Sequence, residues 1–177
     1  FNRGGRIMRV LFADLDGTIR RPLGGKKFIA TPDDQELIPG MKEAIVSFTR
    51  DRDWELIGIT NQAGVAAGHK TLDDCIKEQF LTMQLLPLIK EINFCTDFEG
   101  TIAYRLTRAG ELVHLPPGRN YRKPGAGMLD QYSDIYSFSE CAIMIGDRDE
   151  DHAAALAAGI SFMWADVFLK NYGIKNP

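Results

Sequence analysis

The chain has 177 residues, of which 45% are hydrophobic and 25% charged, with a formal net charge of -3. Those figures fit one ordinary domain spanning 1–177 and exclude a generally basic, nucleic-acid-coating protein. No apolar stretch approaches the ~20 residues a membrane span needs, and no signal-peptide pattern leads the chain, so a cytoplasmic location is expected.

The three cysteines, Cys75, Cys95 and Cys141, are far apart and form no C-x-x-C pair. They read as small buried apolar residues rather than disulfides or zinc ligands. Positive charge gathers in "RGGRIMR" (3–9), "RRPLGGKK" (20–27) and "RNYRK" (119–123).

In chain order, "MRVLFA" (8–13) is an apolar run of strand length. Residues 20–38, rich in Arg, Lys, Gly, Pro and Asp, read as a loop or flap. "PGMKEAIVSFTRDRD" (39–53) places Met41, Ala44, Ile45 and Phe48 at helical spacing. "ELIGIT" (55–60) is a second strand. A helix follows over roughly 71–90, with Thr71 as its N-cap and Asp73 and Asp74 in the first turn.

"INFCT" (92–96) is a third strand, and "TIAYRLTRAGELVHL" (101–115) alternates on either side of Ala109-Gly110, the pattern of a β-hairpin. The pattern predicts a helix over about 127–136, a strand at "CAIMIG" (141–146), an alanine-rich helix at "EDHAAALAAG" (150–159) and a last strand at "ISFMW" (160–164). Apolar strands alternating with helices predict an α/β fold: a central parallel sheet, Rossmann-like, in three layers. Sites in such sheets lie beyond the carboxyl ends of the strands.

The residues at those ends are Asp14-Leu15-Asp16-Gly17-Thr18, Thr60-Asn61 and Gly146-Asp147. Asp14, Asp16 and Asp147 together make an oxygen-rich, negative pocket of the kind Mg²⁺ prefers. A carboxylate there can attack phosphorus, and a second can protonate the leaving alkoxide. Thr60, Asn61 and Lys123, with backbone N–H groups around Gly17 and Gly64, offer donors for phosphoryl oxygens. Taken singly, each of these residues also has a purely structural reading as a turn, a cap or a solvated cation.

Four segments in this order resemble the haloacid dehalogenase (HAD) superfamily: "DLDGT" (14–18), "ITNQAGV" (59–65), "YRKPGAGM" (121–128) and "GDRDED" (146–151). The resemblance implies Asp14 as nucleophile, Asp16 as general acid/base, Thr60 as phosphoryl ligand and Lys123 as charge stabiliser. It implies Mg²⁺ held by Asp14, the Asp16 backbone carbonyl and Asp147, with Asp151 in support. Gly17, Asn61, Arg20, Arg21 and Arg122 are the candidate substrate-binding positions.

The wording T-N-Q-x-G-V and R-K-P-x-x-G-M is similar to one nearly capless subgroup. It includes histidinol-phosphate phosphatases, heptose-bisphosphate phosphatases and the 3′-phosphatase domain of polynucleotide kinase-phosphatases. Many of the first two carry a Cys/His zinc loop before "RKP"; here that stretch has His114 and no cysteine, so no zinc loop is expected.

The leading expectation is therefore a Mg²⁺-dependent phosphomonoesterase, leaning to nucleic-acid 3′-phosphate ends, with Tyr104 and Tyr121 as candidate stackers. A small-molecule phosphatase of the histidinol- or sugar-phosphate type is the alternative, and a silent phosphate-binding module the third reading. No P-loop pattern occurs. The role of the 101–115 hairpin, as lid, dimer contact or structural element, stays open at this level.

Overall fold

A computed structural model describes residues 9–50, 53–136 and 141–173. The cations at 3–8 and the first residue of the expected 8–13 strand lie outside the described residues.

The first apolar run of the described residues forms an interior strand of the sheet. Strand β1 (Arg9–Ala13) pairs in parallel with β4 (Trp54–Asn61) on one side and β8 (Ala142–Gly146) on the other. Alternation along β1 divides the core: Leu11 and Ala13 face one layer of helices, Val10 and Phe12 the other. Each is at most 1% exposed. Complete burial of such side chains contributes about 1.5–3 kcal/mol for the larger ones, so the strand ending in the acids is firmly anchored.

The sheet order is β7-β6-β5-β4-β1-β8-β9, adding β5 (Ile89–Cys95), β6 (Ala103–Thr107), β7 (Leu112–His114) and β9 (Ser161–Trp164). β5, β4, β1, β8 and β9 are parallel, while β6 and β7 run antiparallel beyond β5. The expected hairpin is present. It widens the main sheet through pairs such as Ile92↔Leu106, so the sheet is mixed rather than wholly parallel.

Helices α1 (Met41–Thr49), α2 (Leu72–Leu85) and, at the C-terminal end, α5 (Ala165–Tyr172) supply Ile45, Cys75 and Phe168 to one layer. Helices α3 (Gly127–Asp130) and α4 (Asp149–Ala157) supply Met128 and Ala154 to the other. Thr71 caps α2 as expected, accepting from the Asp74 N–H at 3.0 Å.

Four local expectations change. The 20–38 segment is a flap with paired edges rather than a plain loop: β2 (Arg20–Pro22) and β3 (Gln35–Leu37) pair antiparallel, pinned by Arg20↔Leu37. α2 ends at Leu85 rather than near 90, because Pro87 pushes Leu86 out of helical geometry, to φ -122 and ψ 84. The helix expected over 127–136 ends at Asp130, where the Ser133 hydroxyl takes the Asp130 carbonyl and the chain continues in turns. α5 has no counterpart in the sequence reading; it forms because Phe168 and Tyr172 pack on Phe48 of α1, with ring centroids 5.3 and 4.9 Å away.

Candidate active site

All the parallel strands end at one edge, and Asp14, Thr60-Asn61 and Asp147 stand there together. β1 hands the chain to Asp14, whose N–H donates to the Ile145 carbonyl at 2.9 Å and so keeps it in register with β8. Leu15 then turns inward, fully buried. Gly17 closes the turn at φ 97, where an added Cβ would lie 2.3 Å from Asp147 Oδ2. Only glycine fits both the conformation and the approach. Gly17 donates its N–H to the Arg20 carbonyl at 2.9 Å, so that group serves the turn and not a phosphate cradle.

Lys123 is 4% exposed and spends its ammonium protons on three acceptors. These are Asp14 Oδ1 at 2.5 Å, Asp151 Oδ1 at 2.6 Å and the Ile59 carbonyl at 3.0 Å. Asp151 is itself held by the Asp147 and Arg148 N–H groups, both at 3.1 Å, at the start of α4. Gly146 permits that approach, since a Cβ there would sit 2.4 Å from Asp151 Cβ.

Carboxylate oxygens of Asp14, Asp147 and Asp151 lie within 4.8 Å of one another. Burial pushes the Asp14 carboxyl up, with Lys123 the main opposing influence and Asp151 and Asp16 adding to the rise. Burial and Asp151 likewise raise Asp147. Burial disfavours the Lys123 charge, and Asp14 and Asp151 outweigh it, holding the ammonium above the ordinary lysine value. An all-oxygen donor set with excess negative charge fits a hard divalent cation.

Asp16 lies apart from this cluster. Arg20 Nε donates to its Oδ1 at 2.8 Å and Gln62 Nε2 to its Oδ2 at 2.7 Å, with Thr60 Oγ1 3.5 Å from the same Oδ2. Burial alone would raise its pKa; the Arg20 guanidinium holds it below the ordinary carboxylate value. The Asp16 side chain is thus turned away from the acidic cluster; the ligand atom expected of this residue is its backbone carbonyl.

The substrate-binding expectations change most. Arg20 has no exposed surface and is no substrate contact, because its guanidinium is enclosed between β2, β3 and α2. Arg21 is exposed but paired with Glu36 at 2.8 Å. Asn61 donates to the Lys123 carbonyl at 2.9 Å and accepts the Lys123 N–H at 3.0 Å, clamping the lysine loop. Arg122 stacks over Phe98, 5.7 Å from its centroid, and its Nη1 is buried with no partner among the described residues. Tyr121 is fully buried and Tyr104 stacks on Phe94, so neither offers a face to a base.

Sequence reading missed Gln62, Lys70 and Glu78, which contact Asp16 or each other. Gln62 had a usable signal in its place next to Asn61; Glu78, on a helix, had none.

A family model described as HAD-hydrolase-like matches residues 120–166. The chain is 29% identical over 171 residues to a D-glycero-beta-D-manno-heptose-1,7-bisphosphate 7-phosphatase of Helicobacter pylori, covering 96% of this chain and 87% of the relative. It is 28% identical over 151 residues to the protein of that name from Escherichia coli, covering 85% and 74%. In structure it is similar to a D,D-heptose 1.7-bisphosphate phosphatase from B. bronchiseptica solved with magnesium and phosphate. There the TM-score is 0.63 at 21% identity, over 96% of this chain and 89% of the other, a likeness of fold.

Proposed function

We propose that this chain, a phosphatase of the HAD superfamily, hydrolyses small sugar phosphates of the heptose-bisphosphate type, with Asp14 as nucleophile. The observation that carries the chemistry is the Asp14–Lys123–Asp151 arrangement beside Asp147, at the edge where β1, β4 and β8 end.

In this reading an Asp14 carboxylate oxygen attacks phosphorus as the bond to the leaving oxygen breaks. Asp16, ionised beside Arg20 in the free protein, takes up a proton as the phosphate dianion binds next to it and gives that proton to the leaving oxygen, leaving the phosphoryl group on Asp14. Asp16 then takes a proton from water as the water oxygen attacks phosphorus, releasing phosphate and restoring Asp14. Lys123 balances the charge on Asp14 and Asp151, and the Thr60 hydroxyl offers a donor to the phosphoryl oxygens. Mg²⁺, held by Asp14, the Asp16 carbonyl and Asp147, with Asp151 behind, would neutralise charge on the transferring group.

Two lines support the small-molecule substrate over a nucleic-acid end. The curated relatives that cover most of this chain carry heptose-bisphosphate names. In addition, cations of the 20–27 cluster, which a polynucleotide phosphate would need, are engaged within the protein: Arg20 is buried, Arg21 pairs with Glu36, and Lys26 pairs with Asp34 at 2.9 Å.

The test is phosphate release, with Mg²⁺, from heptose and hexose bisphosphates, sugar monophosphates, histidinol phosphate and a 3′-phosphorylated oligonucleotide. The heptose bisphosphate is expected to give the highest kcat/KM and Asp14→Asn to abolish turnover. A preference for the oligonucleotide overturns the substrate, and turnover surviving in Asp14→Asn overturns the nucleophile.

A further inference from the structure

Arg20 is the largest fully buried side chain among the described residues, and removing a guanidinium from water is costly unless its donors are met. They are met by Asp16 Oδ1 at 2.8 Å through Nε and by Glu78 Oε1 at 2.6 Å through Nη2. Nη1 reaches Thr82 Oγ1 at 2.5 Å, with Gln35 Oε1 and the Glu78 carbonyl at 3.3 Å.

A second arm leads from Asp16 to the same glutamate. Gln62 Nε2 donates to Asp16 Oδ2 at 2.7 Å, Lys70 Nζ donates to Gln62 Oε1 at 3.2 Å, and Lys70 also donates to Glu78 Oε2. Asp16, Arg20, Glu78, Lys70 and Gln62 therefore close a ring, with its two cations balancing its two carboxylates. Both oxygens of Asp16 are tied, by separate arms, to one residue of α2. A carboxylate held at both oxygens has neither χ2 freedom nor a path into the Asp14–Asp147–Asp151 cluster.

We propose that Arg20 and Gln62 are positioning residues for the reaction, orienting Asp16 toward the leaving group by tethering its carboxyl to Glu78 of α2. The proposal rests on the reading of Asp16 as proton donor. Proton donation to a leaving group is worth about 10²–10⁴-fold for a poor one and little for one that departs unaided. Misorienting Asp16 thus slows alkyl esters selectively.

The experiment measures kcat/KM for glycerol phosphate and for 2,4-dinitrophenyl phosphate on wild type, Arg20→Lys, Gln62→Leu and Asp16→Asn. The ratio of the two constants within one preparation is independent of the folded fraction. Arg20→Lys keeps the charge but loses the fork, and Gln62→Leu cuts the other arm without stranding a charge. The alkyl-to-aryl ratio is expected to fall on the order of tenfold in each, and further in Asp16→Asn.

A ratio in Arg20→Lys that is unchanged, or shifted toward the alkyl ester, while Asp16→Asn lowers it, overturns the positioning role and leaves the proton donor standing. If Arg20→Lys gives no measurable turnover, the ratio in Gln62→Leu decides by the same rule. An unchanged ratio in Asp16→Asn overturns the proton donor and the positioning role together.

Discussion

Asn61 and Lys123 hold each other by two reciprocal hydrogen bonds, Asn61 Nδ2 to the Lys123 carbonyl at 2.9 Å and the Lys123 N–H to Asn61 Oδ1 at 3.0 Å. The pair ties the end of β4 to the loop that delivers the ammonium to Asp14, so the amide acts on the backbone of the lysine.

Asn61→Ala removes both bonds and leaves a backbone N–H and C=O to find new partners. The expected cost is about 1–3 kcal/mol of stability, seen in urea denaturation. Turnover is expected to fall roughly 10- to 100-fold as Lys123 loses its placement. Asn61→Asp keeps the acceptor, loses the donor, and is expected to fall between wild type and Ala.

Asp147 is exposed, yet burial of its carboxyl and the nearby Asp151 charge raise its pKa. Neutralising it relieves like-charge crowding, so Asp147→Asn is expected to be at least as stable as wild type without metal. The same change removes a ligand oxygen, so the rise in Tm on adding Mg²⁺ is expected to shrink. Thermal melts with EDTA and across a Mg²⁺ titration check both halves.

Asp97, just beyond β5 and 6% exposed, accepts the Thr101 N–H at 2.9 Å, the Thr101 hydroxyl at 2.6 Å and the Ile102 N–H at 3.1 Å. Burial alone would raise its pKa; these bonds bring it from 3.8 down to about 2. A carboxyl depressed in the folded state contributes its full stability above its unfolded value, and loses it as pH falls through the folded value. Asp97→Asn is therefore expected to cost roughly 2 kcal/mol at pH 7. The difference from wild type should close between pH 4 and about 2, as read from denaturant midpoints at each pH.

Gly17→Ala places a Cβ at φ 97 and 2.3 Å from Asp147 Oδ2, so the turn or the acid has to move. Backbone strain of this kind costs about 1–3 kcal/mol. A lower Tm is expected together with weaker Mg²⁺ binding by calorimetry, because Asp147 is the group displaced. Unaltered Mg²⁺ affinity would show that the turn yields instead.

Much of the fold was legible because its causes are local in sequence. The 8–13, 55–60, 92–96, 141–146 and 160–164 runs are apolar, bounded by polar residues, and each contributes a strand. The Thr71 cap needs only a hydroxyl three residues before an N–H. The 20–38 pairing was hidden because Arg20, Arg21 and Pro22 carry no apolar alternation. α5 was hidden because its helical face is completed by Phe48, far away in the chain.

By itself the sequence determined which chemistry stands at the sheet edge: acids, a hydroxyl and an amide follow strands that must run parallel, and parallel strands end together. Only the tertiary structure decided where each group points. Arg20 follows the acids as a free cation in sequence, and becomes a buried tether because α2, whose Glu78 lies 58 positions on, packs over it. Asn61 and Lys123, 62 positions apart, are partners for the same reason. Periodicity reports which face of an element is apolar, whereas the partner of a polar group is set by whatever element the fold brings against it.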